Sequence, residues 1–447
     1  MSYTTQLLAE YVLGLDCGRL PSAVTEAVKD ALIDVLAAAA AGITTPAARH
    51  ARRTAARLFV AGPSDVWFDN TRLRPEAAAL ANSTAASALD LDDGHRAAGG
   101  HPGAAILPSV LAVAQATGAG GNEIIAATVA GYDVAVRIAA ARDFSRLDTL
   151  STGRWSAYGA AAAAGRLQRV ATEVLAQALA IAGVLSPGLS AAGYSAIMGN
   201  QAKEGIPWSV LTGLTALELA KEGMTGPLDI LDHPDYFDAP FIVRSLGSDY
   251  AITGIYFKPY ACCRWIHAAI DGLIELMESE NLEADRINGI TVLTFERALR
   301  LNNYPDPPSI EAAQYSLPFC LALAAREGAE ALLPISQTRL ADPQIVNLAR
   351  RISLAVDAEL DQRFPVEAGA RVILEVGGKR LEQEVRFPLG DPRNPLGHLR
   401  LIEKFERLAG GVLPAADRRR LISAVTTIEN RTVEDLVPLL RGPATGS

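Results

Sequence analysis

The sequence predicts a mainly α protein: a large all-helical domain built from both chain ends, with a smaller α+β lid domain inserted between them. Three observations carry this reading. Apolar residues make up 49% of the 447-residue chain, which is enough for a large core and more chain than one small core organises. Alanine runs such as 37–41 and 160–164 favour closely approaching helices, because alanine is the strongest helix former and leaves backbones room to approach. The texture also changes along the chain. Helical periodicity holds from about residue 5 to 246, β-rich segments enter after Gly247, and helical periodicity returns beyond Leu396.

Each element follows from a local pattern. Apolar residues recur at helical spacing over 24–41, with Pro21 and Ser22 ahead of them as a start signal. The spacing predicts further helices over 77–89, 104–116, 124–141, 157–169, 174–185 and 210–222. Glycine-rich connections fall at 118–121 and 223–227. No fixed period recurs, which argues against a solenoid. Residues 287–295 are rich in β-branched side chains and read as a strand. Residues 370–387 read as a hairpin turning at Gly377-Gly378. Helical stretches at 265–280 and 310–325 lie among these strands, which makes the region α+β. Helices at 400–409 and 417–426 close the chain. The expected division is 1–255 with 397–447 as the helical domain, and 256–396 as the lid.

Composition excludes several classes. Net charge is −9 and the pI is near 5.3. Lysine and arginine are scattered, which argues against nucleic-acid binding. Mean hydropathy is only +0.17, and no apolar run has the length to span a membrane. The first fifteen residues include Glu10 and lack a basic segment before an apolar one, so no signal peptide is expected. Cys17, Cys262, Cys263 and Cys320 have neither a disulfide-framework pattern nor zinc-site spacing. A cytoplasmic protein without a structural metal is the expectation.

Four clusters stand out from this apolar background. The first is Asp90-Leu91-Asp92-Asp93-Gly94-His95, with His101-Pro102-Gly103 six residues further on. Carboxylates and imidazoles are costly beside an apolar helix wall unless paired or used. The second runs from Phe257 to His267 and holds Lys258, Tyr260, Cys262, Cys263, Arg264 and His267. Lys258 and Arg264 suit a carboxylate clamp, while Tyr260, His267 or a cysteine can move protons. The third is the polar loop Met198-Gly199-Asn200-Gln201-Ala202-Lys203-Glu204-Gly205. The fourth is Glu311-Ala312-Ala313-Gln314-Tyr315-Ser316-Leu317-Pro318-Phe319.

These blocks, together with Gly131-Tyr132-Asp133, occur in an order that resembles the MmgE/PrpD family over nearly the whole chain, from about residue 5 to 440. The resemblance implies a homodimer of subunits with a helical domain and an α+β lid, an active site between them, small di- or tricarboxylate substrates and no cofactor. By position it places Asp90, Asp93, His101, Lys203 and Lys258 in the active site, with Cys263 and His267 in the second cluster. Some positions depart from the family pattern. Leu150 stands where relatives often carry histidine, with Arg154 and Trp155 nearby. Phe319 stands where a tyrosine occurs, and Glu204 to Trp208 replace a segment that is usually Leu-His. The changes remove two protonatable groups and point to a smaller or more apolar acid.

The expected chemistry is a lyase reaction, dehydration or decarboxylation, through proton transfer at the carbon α to a carboxylate. An epimerase with two bases and an inactive carboxylate-binding homologue are the alternatives. His101 is the expected base, oriented by Asp90 or Asp93. His267, Tyr260 or Lys258 would serve as acid. Lys203, Arg264, Cys263, Gln201, Arg154 and Trp208 would bind the substrate, the cations offsetting its charge.

Overall fold

The computed structural model describes residues 2–189, 195 and 197–442 and is predominantly helical with small sheets. Taking helices of eight residues or more, the chain opens with α1 (Thr4–Gly14), α2 (Ser22–Gly42), α3 (Pro46–Leu58) and α4 (Pro75–Ser87). These are followed by α5 (Gly103–Thr117), α6 (Gly121–Ala140), α7 (Ser156–Leu167), α8 (Thr172–Leu185) and α9 (Ile206–Lys221). Helix starts follow local chemistry. The Thr45 hydroxyl caps α3 by accepting from Ala48 N at 3.3 Å, and Pro46 fills the first turn, where no donor is needed.

Helix α4 is buried throughout from Ala77 to Ser87 and touches α2, α3, α5 and α9. Its alanines explain how one helix accommodates so many neighbours. Helices α6 and α7 cross where Gly131 meets Gly159: a Cβ on Gly159 would fall 2.5 Å from the Gly131 carbonyl oxygen. This crossing fixes Tyr132 and Asp133, the other two residues of the Gly-Tyr-Asp block. The Asp133 carboxylate accepts from Ala251 N at 2.6 Å and from the Tyr11 hydroxyl.

Short strands β1 (Ser64–Asp65) and β2 (Arg72–Leu73) pair with each other. Strand β3 (Gly94–His95) pairs antiparallel with β4 (Ile255–Tyr256), Gly94 opposite Tyr256. That pair ties the acidic loop to the segment entering the second cluster. Strands β5 (Ile287–Thr294), β6 (Ile352–Val356), β7 (Ala370–Val376) and β8 (Lys379–Val385) form one sheet in the order β6-β5-β7-β8. Only β5 and β6 run parallel. Gly377 and Gly378 turn the β7–β8 hairpin with φ of 57° and 78°, the left-handed pair that a two-residue turn demands.

Helix α10 (Arg264–Ser279) lies on β7 and β8, and α11 (Leu317–Glu327) on α10. The single helix expected over 310–325 is broken. Ser316 caps α11, accepting from Phe319 N at 3.2 Å, with Pro318 in the first turn, so the preceding Ile310–Ala313 helix ends before it. Helix α12 (His398–Ala409) returns to α2, and α13 (Ala415–Thr426) follows. No single helix among the described residues is long and apolar enough to cross a membrane. The α2–α3 pair passes that test only together, bent by 93°.

Candidate active site

The loop after α4 builds the site. Asp90 adopts a left-handed conformation (φ 56°), which aspartate tolerates better than most residues. The loop buries Asp90, Asp92 and Asp93, and buried carboxylates need partners. Asp93 Oδ1 accepts from Gly103 N at 2.8 Å, and Oδ2 accepts from the Tyr132 hydroxyl at 2.7 Å. Burial, reinforced by the neighbouring carboxylate of Asp34, pushes Asp93 up to about 7 despite these donors. Asp90 has a different environment. Burial alone would raise it, but Lys258 Nζ stands 3.0 Å from Oδ2 and, with Lys203, holds the carboxyl well below the usual carboxylate range.

His101 sits between two carboxylates. Its Nε2 is 3.6 Å from Asp90 Oδ1, and its Nδ1 is 3.4 Å from Asp92 Oδ2 and 3.1 Å from the Asp93 carbonyl oxygen. Burial alone would lower its pKa; Asp92 and Asp90 outweigh burial and raise it to about 9. The ring is therefore an imidazolium at neutral pH. Its backbone N–H donates to Thr152 Oγ1 at 3.0 Å, and the Thr152 hydroxyl donates to Glu204 Oε2 at 2.9 Å. That chain binds the His101 loop to the third cluster.

The third and fourth clusters meet at Lys203. Lys203, Glu204 and Gly205 are consecutive left-handed residues, with φ of 41°, 56° and 70°. This backbone turns the Lys203 side chain inward. Its ammonium donates to Gln314 Oε1 and lies 5.4 Å from the centre of the Tyr315 ring. Gln314 in turn donates to the Ala88 carbonyl at 3.4 Å.

A cavity of about 420 Å³ has His101, His95, Tyr256, Cys263, Arg264 and Tyr315 among its walls, while Asp90, Lys203 and Lys258 lie outside its lining. Arg264 is 4% exposed. Its guanidinium donates to the Leu389 and Pro388 carbonyls at 2.8 and 2.9 Å and lies 4.7 Å from the Tyr256 ring centre. Among the described residues no carboxylate forms an ion pair with it. Burial lowers its pKa to about 10, so it remains a cation without a carboxylate partner. An anionic ligand would supply that charge. Oxygens of Asp90 and Asp92 and a ring nitrogen of His101 lie within 4.8 Å of one another, a spacing compatible with a metal ion. Lys258, 3.0 Å from Asp90 Oδ2, and the protonated His101 ring already balance those two carboxylates.

The structure brings Asp90, His101, Lys203, Lys258, Cys263 and Arg264 together and corrects other expectations. His267 is fully buried, and both its ring nitrogens are engaged. Nε2 is 3.1 Å from the Cys262 carbonyl and Nδ1 is 3.2 Å from Arg264 Nη1. Burial keeps the ring neutral, so it props Arg264. Tyr260 donates to Asp271 Oδ1 at 2.7 Å and does not line the cavity. Trp208 is 57% exposed because α9 turns it outward. Gln201 is likewise exposed, and Arg154 is absent from the cavity walls. Asp93 reaches His101 only through its carbonyl oxygen; Asp92 supplies the carboxylate beside the ring. Burial pushes the Cys263 thiol up, so it is a neutral wall and not a thiolate. Sequence reasoning missed the contacts of Asp92, Thr152 and Gln314. Asp92 and Gln314 lay inside clusters already singled out, whereas nothing in the local sequence marks Thr152.

The scaffold and the site define a helical protein whose acidic loop is matched by buried lysines from two later segments. The chain belongs to the MmgE/PrpD family: the family's N-terminal domain matches residues 6–244 and its C-terminal domain residues 260–430. Among curated proteins it is similar to the cis-aconitate decarboxylase of Aspergillus terreus, 26% identical over 98% of this chain and 95% of the relative. It is also similar to the cis-aconitate decarboxylase of Homo sapiens, 26% identical over the same shares. A cis-aconitate decarboxylase-like protein of Aspergillus oryzae is 25% identical over 98% of this chain and 97% of its own length.

Proposed function

We propose that this protein is a lyase that decarboxylates a small carboxylic acid. The observation that carries the reading is His101, on the cavity wall between Asp90 and Asp92, with the buried Lys258 ammonium on Asp90. Decarboxylation breaks a C–CO2 bond and leaves the electron pair on carbon, delocalised toward a remaining carboxylate. Lys258, Lys203 and Arg264 would offset that charge as it develops. The carbanion then needs a proton. His101 as an imidazolium is suited to donate it and to regain one from solvent. Sequence reasoning assigned His101 as a base; its two carboxylate neighbours favour an acid. Both a carboxy-lyase and a hydro-lyase use an acid; the decarboxylase relatives support the carboxy-lyase and give no support to an epimerase.

Residues 256–396 would act as a lid over the cavity, hinged near 247–254, in a homodimer whose mass light scattering would read. The deciding experiment is proton NMR in D2O with cis-aconitate, citrate, 2-methylcitrate, malate and itaconate. The expected result is release of CO2 from one acid, with deuterium placed on the product carbon. Absence of both release and exchange across the panel, with folded protein, would leave either a different acid or a carboxylate-binding homologue, which a thermal-shift screen of further acids separates.

A further inference from the structure

The cavity has a second, apolar region that the proposed chemistry does not use. A Cβ on Gly99, two residues before His101, would lie 3.2 Å from Leu150 Cδ1 and 3.2 Å from Phe144 Cζ. Both side chains therefore stand against the loop that carries His101, and both line the cavity. Arg297 donates to the Phe144 and Leu147 carbonyls at 3.2 Å each, which joins this wall to the end of β5. There Trp265 meets Phe295 and Phe364 edge-on, each at 5.9 Å, and Phe295 stacks on Phe364 at 4.4 Å. The interlocked rings hold Trp265 and Phe364 in place, and both face the cavity along with Ala368. Asp148, Arg297 and Arg300 border this apolar strip on the same cavity wall. Fixed aromatic and aliphatic surface around a cavity of this size gains stability when apolar ligand atoms replace water.

We infer that the substrate is a carboxylic acid carrying an apolar substituent of several carbons. Its carboxylates would face His101 and Arg264, and its substituent would lie along Leu150, Phe144, Trp265 and Phe364. This rests on the carboxylate site proposed above and specifies its substrate class. The molecule recognised is larger and more apolar at one end than a plain tricarboxylate.

Isothermal titration of the full chain with succinate and with 2-methyl-, 2-butyl- and 2-octylsuccinate tests it. Binding should tighten by about threefold for each added methylene until the apolar region is filled. Leu150→Asn and Ala368→Leu should each remove that gain while leaving 2-methylsuccinate within about twofold. A series that binds with equal affinity at every length overturns the apolar substituent but leaves the carboxylate site standing. Failure of every member, succinate included, overturns both.

Discussion

Lys258 holds its ammonium 3.0 Å from Asp90 Oδ2 with the lysine side chain wholly withdrawn from solvent. The two charges come from segments 168 positions apart in sequence, the difference of their residue numbers, so the pair forms only when the second cluster closes on the acidic loop. Breaking a buried pair by neutralising one member leaves the other charge uncompensated. Asp90→Asn keeps the left-handed backbone, because asparagine also accepts it, and should cost about 3–5 kcal/mol of stability. Lys258→Met should cost a similar amount, and the double variant less than the two losses added together. Urea denaturation of the three proteins reads this. A loss below about 1 kcal/mol for Asp90→Asn would mean that the pair is solvated and weak.

The charge on His101 makes activity depend on pH in a stated direction. Its pKa rises from 6.5 to about 9, so the proton donor is present at neutral pH and is lost as pH rises through 9. Turnover should fall over that range. His101→Gln should reduce kcat by roughly 10²- to 10⁴-fold and abolish the alkaline limb in whatever activity remains. Stability carries the same sign. A raised folded value stabilises fully below 6.5, and that contribution disappears between 6.5 and 9, so the variant should show a flatter stability profile there. A wild-type alkaline limb that persists unchanged in the variant would assign the proton to another group.

Much of this was legible because the chemistry is clustered in sequence. Asp90 and His101 share one loop, and Lys258 and Arg264 share another, so composition alone marked both. Most long helices were legible from apolar periodicity, with ends displaced by a few residues, whereas α1 and α3 were not placed individually. What failed had physical causes. His267 and Tyr260 sit in the right segment but point away from the cavity, because the helix they enter commits them to Arg264 and Asp271. Trp208 faces outward because of the turn at which α9 begins, which three left-handed residues set. Strand β6 (Ile352–Val356) is short and has one buried residue, too little alternation to mark a strand. Thr152 acts through tertiary contacts that no local pattern encodes.

Tyr132 positions the site from the α6–α7 crossing. Its hydroxyl is the side-chain donor to Asp93, whose other oxygen takes Gly103 N at the start of α5. Tyr132→Phe removes that donor and leaves a buried carboxyl half-satisfied, a loss of about 1–3 kcal/mol. Because Asp93 touches His101 only through its carbonyl, the change should displace the imidazolium without touching the ligand. The expected signature is a lower kcat with KM nearly constant. A change in KM alone would indicate that Tyr132 belongs to the binding surface instead.

Lys404, on the returning helix α12, donates to Asp34 Oδ1 at 2.6 Å and to the Leu91 carbonyl at 2.7 Å. Leu91 lies between Asp90 and Asp92, so α12 braces the acidic loop from behind. Burial raises Asp34 to about 6 even with Lys404 beside it. Lys404→Met removes the opposing charge, and the folded-state value of Asp34 should rise further. The folded variant then retains a proton that the unfolded chain releases near its ordinary 3.8, so its stability relative to wild type should worsen as pH rises. The deficit should be small at pH 5, where Asp34 is protonated in both proteins, and should grow to about 3 kcal/mol by pH 8. Thermal or urea unfolding at the two pH values measures it, with kcat falling in parallel as the loop loses its brace. A deficit independent of pH would show that Lys404 acts through packing of its stem, and that Asp34 does not carry the charge assigned to it.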